Sequence, residues 1–264
     1  MKHLMTMLLL SAYASCIAQN VADCETDLQA VAARRAHFLD RYINGHDTTD
    51  MDSIVVYNEK LQTRLLECTQ TQESLDKPFK SLEEYNVGLT RSPDGLLSIY
   101  SWDDETGGTM RYAISVFQFS DGHRVFSQKP IWLETEDPDE SVSFFYDVLD
   151  EVVSGGKKYY VVKGVAVGSS AVSVHTVKIF SVEDGVLNSD ARLIKTQTGI
   201  RNELSYEIDF SASPNRDNPI NREEAWLQYD AKSHTICIPL IQENGRLTRK
   251  KIRYRFTGTY FEKI

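Results

Sequence analysis

Glu203-Leu204-Ser205-Tyr206-Glu207-Ile208-Asp209-Phe210 alternates polar and apolar residues without a break. Successive side chains of a strand point to opposite faces, so Leu204, Tyr206, Ile208 and Phe210 share one face and Glu203, Glu207 and Asp209 the other. Arg249-Lys250-Lys251-Ile252-Arg253-Tyr254-Arg255-Phe256 has the same period with the opposite charge, setting Lys250, Ile252, Tyr254 and Phe256 against Arg249, Lys251, Arg253 and Arg255. One core face and one wet face is the pattern of an antiparallel sheet. The turn signals Pro93-Asp94-Gly95, Asp121-Gly122, Gly155-Gly156, Asp184-Gly185 and Asn244-Gly245 separate further runs rich in Val, Ile, Tyr and Phe. Such glycine pairs accept the positive φ angles of tight hairpins. The spacing predicts strands near 96–102, 110–119, 123–128, 143–153, 158–167, 172–182, 204–210, 225–230, 235–241, 247–257 and 259–262. Few connections could hold a crossover helix, so the expectation over 76–264 is a large antiparallel β sandwich or open barrel. The basic face of 249–256 could grip a phosphate or sulfate polymer. The plainer expectation is a solvated face paired with acidic neighbours across the sheet.

The pattern upstream is helical. In residues 22–44, Cys24, Leu28, Val31, Phe38 and Tyr42 fall on one stripe, and Gly45 fits a C-cap. After the polar turn Asp47-Thr48-Thr49-Asp50, a second helix from Asp52 or Ser53 aligns Ile54, Tyr57, Leu61, Leu65 and Cys68. The two predict an antiparallel hairpin within 19–75. Cys24 lies 23 residues before Asp47 and Cys68 21 after it, so the two thiols should meet at the open end. A bridge there would contribute about 4 kcal/mol through loop closure; two buried free thiols are the alternative. Cys237, inside Thr235-Ile236-Cys237-Ile238, reads as a small buried apolar residue. Leu75, Phe79, Leu82 and Tyr85 predict one short helix in the transition at 70–88.

Residues 1–18 have the order of an export signal. Lys2 gives the positive start, Leu4, Met5, Met7, Leu8, Leu9 and Leu10 the apolar run, and small residues follow. Ala12-Tyr13-Ala14 and Cys16-Ile17-Ala18 both fit a cleavage rule, with cuts before Ser15 or Gln19. Tyr13-Ala14-Ser15-Cys16 also resembles a lipobox, in which Cys16 would carry a lipid and be the sole membrane attachment. A disulfide suits the same oxidising destination, periplasmic or extracellular. The 264 residues, 41% hydrophobic and 25% charged with net charge −9, are those of a globular chain, and the charge gives no reason to expect nucleic acid as a partner.

Standard catalytic signatures are absent: no Gly-x-Ser-x-Gly, His-Glu-x-x-His, phosphate-binding glycine loop or Cys-x-x-Cys occurs. Ser154-Gly155-Gly156-Lys157 matches Ser-x-x-Lys only formally, because its glycines put it in a hairpin turn. The six histidines, at 3, 37, 46, 123, 175 and 234, lack metal-ligand spacing, and no cofactor is expected. His175, between Val174 and Thr176, reads as a neutral ring satisfied by a hydrogen bond. Trp132 and Trp226 read as core. The densest polar–aromatic stretch is Tyr100-Ser101-Trp102-Asp103-Asp104-Glu105-Thr106-Gly107-Gly108-Thr109-Met110. It could present Trp102 as a stacking platform beside the carboxylates of Asp103 and Asp104, or supply a carboxylate pair for acid–base chemistry. Arg201 and Glu203 complete the candidate binding set; Asn215-Arg216-Asp217-Asn218 is a further polar cluster.

Tyr100–Met110 together with Gly199-Ile200-Arg201-Asn202-Glu203-Leu204-Ser205-Tyr206 resembles segments of uncharacterised secreted bacterial proteins, over the region from 90 onward. The resemblance implies export and a β-rich domain, and it transfers no catalytic residues. The expectation is an exported envelope or extracellular protein acting as a non-catalytic binding module for a small molecule, a glycan or an envelope protein. A glycan hydrolase using loop carboxylates and a structural or assembly lipoprotein are the alternatives.

Overall fold

The computed structural model describes residues 20–45, 49–130, 143–216, 218 and 220–264. The export signal, the lipobox cysteine Cys16, most of the turn after Gly45 and Trp132 lie outside the described residues.

Helix α1 spans Val21–Gly45 and α2 spans Asp50–Cys68. Each buries a stripe at three- to four-residue spacing: Cys24, Leu28, Ala32 and Arg35 on α1, and Ile54, Asn58, Leu61, Leu65 and Cys68 on α2. Asp50 and Asp52 in the first turn of α2 complement its dipole, and Arg41 Nε lies 3.1 Å from Asp50 across the connection. The expected bridge is present: Cys24 and Cys68 are disulfide-bonded, with α-carbons 5.8 Å apart. The single helix expected near 70–88 is two pieces, α3 (Gln72–Asp76) and a 3-10 turn over Lys80–Tyr85. Pro78 is the physical reason, since it has no N–H and forces the preceding residue away from helical angles. Asn86, at φ 61, reverses the chain into the first strand.

Fifteen strands form three sheets among the described residues. The first sheet is a meander of β1 (Gly88–Arg91), β2 (Leu97–Asp103), β3 (Ala113–Ser120) and β4 (Val125–Gln128). Next come β5 (Phe145–Ser154), β6 (Lys157–Val167), β7 (Val172–Glu183) and β8 (Val186–Asn188). They are followed by β9 (Ile194–Thr196), β10 (Gly199–Arg201) and β11 (Glu203–Asp209). A helical turn, α4 (Arg222–Ala225), precedes β12 (Gln228–Asp230), β13 (Thr235–Ile241), β14 (Leu247–Phe256) and β15 (Phe261–Lys263). The middle sheet has the order β11-β7-β6-β5, with β8 added to β7. The outer sheet has the order β10-β9-β15-β14-β13-β12. All pairings are antiparallel except β15 with β9.

The layers stack in a fixed sequence. One face of β2 and β3 offers Tyr100, Trp102 and Val116 to the helices, beside Cys24, Leu28, Leu61 and Leu65. The other face offers Leu97, Ile99, Phe117 and Phe119 to Tyr146, Val148, Tyr160, Val162 and Phe180 of the middle sheet. The opposite face of the middle sheet, with Val152, Val161, Val177 and Ile179, packs on Ile194, Ile236, Tyr254 and Phe261 of the outer sheet. The helical hairpin is therefore a packed outer layer. A bulge between Val148 and Asp150 shifts the register of β5. Asp150, buried at this bulge, accepts hydrogen bonds from Tyr229 Oη and pairs with His234 Nδ1, both at 2.6 Å, and so joins the middle sheet to the outer one.

The predicted strands correspond to observed ones with small shifts, and the short strands β1, β8, β9 and β10 are additional to them. The acidic and basic strands are not neighbours. β11 pairs with β7, where Lys178 Nζ lies 3.0 Å from Glu203, and β14 belongs to the other sheet. The acidic neighbours of the basic strand come from elsewhere: Glu262 of β15 lies opposite Arg255, and Glu224 lies 3.5 Å from Arg249.

Replacing Cys24 and Cys68 together by Ser should lower stability by about 2–4 kcal/mol in urea unfolding, with a matching loss when the native protein is reduced. An unchanged midpoint would show that the layers hold the hairpin without the bridge.

Candidate functional site

The loop after β2 does not present its aromatic residue to solvent. Trp102 is 1% exposed, and its Nε1 donates to Asn58 Oδ1 at 3.0 Å. The same oxygen accepts from Arg35 Nε at 2.7 Å, and Asn58 Nδ2 donates to the Asp104 carbonyl at 2.8 Å. Arg35, 2% exposed, also donates through Nη2 to the Asp103 carbonyl. Burial lowers the Arg35 pKa, and the nearby Glu105, Asp103 and Asp104 oppose that shift. The carboxylates are engaged too. Asp103 accepts from the Glu105 amide at 3.0 Å and lies 3.2 Å from Arg111, and Asp104 accepts from the Thr106 amide at 2.8 Å. Glu105, held at φ 64, has its pKa raised by burial and then by Asp103. The reading of Trp102 as a stacking platform is corrected: the residue is the buried end of a polar knot that fastens the helices to the first sheet.

Arg201 and Glu203 lie elsewhere. Arg201, exposed on β10, donates to Thr198 Oγ1 at 3.2 Å, and Glu203 is paired with Lys178. No hydrogen bond or ion pair among the described residues joins them to Trp102, Asp103 or Asp104. In the third polar cluster, Asn215 is buried and bonds to the Asp209 and Gly245 carbonyls and to the Leu247 amide. It ties a loop down.

A partly enclosed cleft lies over one end of β6 and β7. Lys163, Val165 and Val167 of β6 and Ser173 and His175 of β7 form its floor; Phe210, Arg222 and Trp226 close it. Its volume is about 250 Å³. Trp226 is not core, as the sequence had suggested, but 46% exposed at the rim. Asn221 and Glu224 form a capping box around α4, which sets Arg222 and Trp226 at either end of the turn. Arg222 donates to the Ser170 carbonyl and sits over the Phe210 ring, 5.7 Å from its centroid. Lys163 is held 2.9 Å from Asp147.

His175 is the buried polar group of the cleft floor, at 2% exposure. Its ring stacks on Tyr206 at 5.4 Å, and Nε2 lies 3.0 Å from Ser173 Oγ. Nδ1 is buried without a hydrogen-bond partner. Burial, and then the Lys163 ammonium, push its pKa down to about 4, so the ring is neutral at physiological pH. The neutral ring was anticipated; Arg222, Phe210 and Trp226 were not. The pattern Asn221-Arg222-Glu223-Glu224 carried a readable helix-start signal that would have moved Trp226 out of a strand.

No family model matches the chain, and neither does any curated protein or solved structure.

Two outcomes follow from these networks. Asn58→Ala removes the acceptor shared by Arg35 and Trp102, and should cost about 3 kcal/mol or more in thermal unfolding, because a buried cation loses its partner; a loss below 1 kcal/mol would contradict the knot. His175 binds its proton more weakly folded than unfolded, so its contribution is complete above about pH 6.5 and disappears as pH falls towards 4. The decline should be on the order of 2–3 kcal/mol and should flatten in His175→Gln, as read from urea midpoints across that range.

Proposed function

We propose that the chain is an exported, non-catalytic binding module whose ligand is a small amphiphile with a flat apolar side and an anionic or strongly hydrogen-bonding group. The observation that carries the reading is the cleft, in which an aromatic rim and the Arg222 guanidinium meet above the buried His175 ring. A volume of about 250 Å³ is at the small end for ligand sites and suits one or two rings rather than an oligomer. Trp226 and Phe210 supply apolar area, Arg222 positive charge, and Ser169 and Ser173 hydroxyls. Among the described residues no Asp or Glu lines the cleft, which favours an anion.

Export is supported by the Cys24–Cys68 bridge, which belongs to an oxidising compartment, and by the order of residues 1–18. Among the described residues no helix is long and apolar enough to cross a membrane. Binding is favoured over hydrolysis although Ser173 and His175 are within hydrogen-bond distance. A ring with a pKa near 4 is a weak acceptor for a serine proton, and no carboxylate orients its Nδ1.

Titration with benzoate, indole-3-acetate and glucuronate, followed by Trp fluorescence and calorimetry, tests the reading. At least one should bind saturably, with affinity reduced at least tenfold by Arg222→Ala and by Trp226→Ala and unchanged by Asp104→Asn. Absence of saturable binding, or binding indifferent to Arg222, overturns it. Hydrolysis of a p-nitrophenyl ester that Ser173→Ala abolishes would replace it with a hydrolase.

A further inference from the structure

The outward face of the outer sheet carries a second feature, distinct from the cleft. On β14, Lys251, Arg253 and Arg255 occupy alternate positions, about 7 Å apart along the strand, and so share one face; Arg249 lies within the irregularity that sets Leu247 opposite Ile241 and Lys251 opposite Pro239. The opposite face, with Ile236, Tyr254 and Phe261, is core. Across β13 the basic row meets uncharged partners: Pro239 opposite Lys251, Cys237 opposite Arg253 and Thr235 opposite Arg255. Gln228 of β12 lies beyond Cys237, and Asp230 beyond Thr235. On the other side Glu262 is opposite Arg255 but forms its ion pair with Lys195, at 2.9 Å. Glu224 occupies the Arg249 end, 3.5 Å from Arg249, and its carbonyl accepts from Lys251 Nζ. Arg253 and Arg255 are exposed, and no ion pair among the described residues engages either.

We propose that this row is a binding site for an acidic polysaccharide, laid along β14 with its carboxylates or sulfates on Arg253, Arg255 and Lys251. An extended strand with cations at regular intervals matches a linear polymer with regularly spaced anions, better than it matches a single small ion. The net charge of −9 does not prevent this, because charges beyond about 10 Å are screened at 0.1 M salt and the local field is that of the row. Nucleic acid is disfavoured by the neighbours. Single-stranded binders stack bases on aromatic side chains, and the flanking outward positions hold Gln228, Thr235, Cys237 and Pro239. The disulfide also points to a compartment where polysaccharide is the commoner polyanion.

The test uses the full chain, with heparin and polygalacturonate as sulfated and carboxylated probes and oligo-dT as the nucleic-acid probe. Binding to at least one polysaccharide should appear at low ionic strength and weaken at least about tenfold between 50 and 200 mM salt. The pair Arg253→Glu and Arg255→Glu should abolish it, and Arg253→Gln with Arg255→Gln should weaken it about tenfold, both with the wild-type melting midpoint because the side chains are exposed. Arg222→Ala, which alters the cleft alone, should leave it intact. Failure to bind either polysaccharide, equal binding by the Glu pair, or tighter binding of oligo-dT overturns the proposal.

Discussion

Burial of both faces of β6 is the constraint on which the other layers depend. Tyr160 and Val162 point to the first sheet while Tyr159 and Val161 point to the outer one. A strand covered on one face alone would leave either set in water, at a cost of roughly 25 cal/mol per Å² of apolar surface. Two further sheets are therefore required, one on each side. The first sheet then exposes Tyr100 and Val116 on its far side, and the amphipathic helices cover them. Each layer is placed by what its neighbour leaves uncovered.

Polar groups inside this stack join layers. Asn58 links both helices to the loop after β2, and Asp150 links the middle sheet to Tyr229 and His234 of the outer one. Asp94 does similar work between the first and middle sheets: it pairs with Lys158, accepts a bond from Tyr160 at 3.3 Å, and its amide donates to Glu151 at 2.9 Å. Burial of Asp94 opposes its ionisation, but the bonds from Lys158, Ser92 and Leu96 outweigh that and leave its pKa lowered. Such groups add direction to a core whose apolar contacts are otherwise tolerant of sliding.

The elements legible in the sequence were those with a long repeat. The alternation of β11 and β14 and the stripes of α1 and α2 extend over seven residues or more, and the cysteine positions gave the register of the hairpin. What sequence could not give was which sheet each strand joins. The alternation of Glu203–Asp209 and of Arg249–Arg255 names no sheet: Leu204 and Tyr206 go to the middle sheet and Tyr254 to the outer one, so the two strands face each other across the core. The candidate site was misread for a related reason. Trp102, Asp103 and Asp104 look like a ligand surface until Arg35 and Asn58, contributed by distant helices, occupy their hydrogen-bonding groups. The cleft joins residues from β6, β7, the segment after β11 and α4, and no local pattern announces that meeting.

The parallel pairing of β15 with β9, single among the described residues, sets an order of assembly. β9 enters the outer sheet only through β15 and β10, and β10 is an edge. Its tie to the rest of that sheet spans the 67 positions between Lys195 and Glu262. Hairpins such as β5–β6 and β13–β14 can zip from their turns, whereas this junction must wait for a long loop to close, which is entropically slow. Until it does, Leu193 and Ile194 lack the Phe261 side of their cover, and the half-finished sandwich offers an apolar seam that a folding helper, or another unfinished chain, could seize.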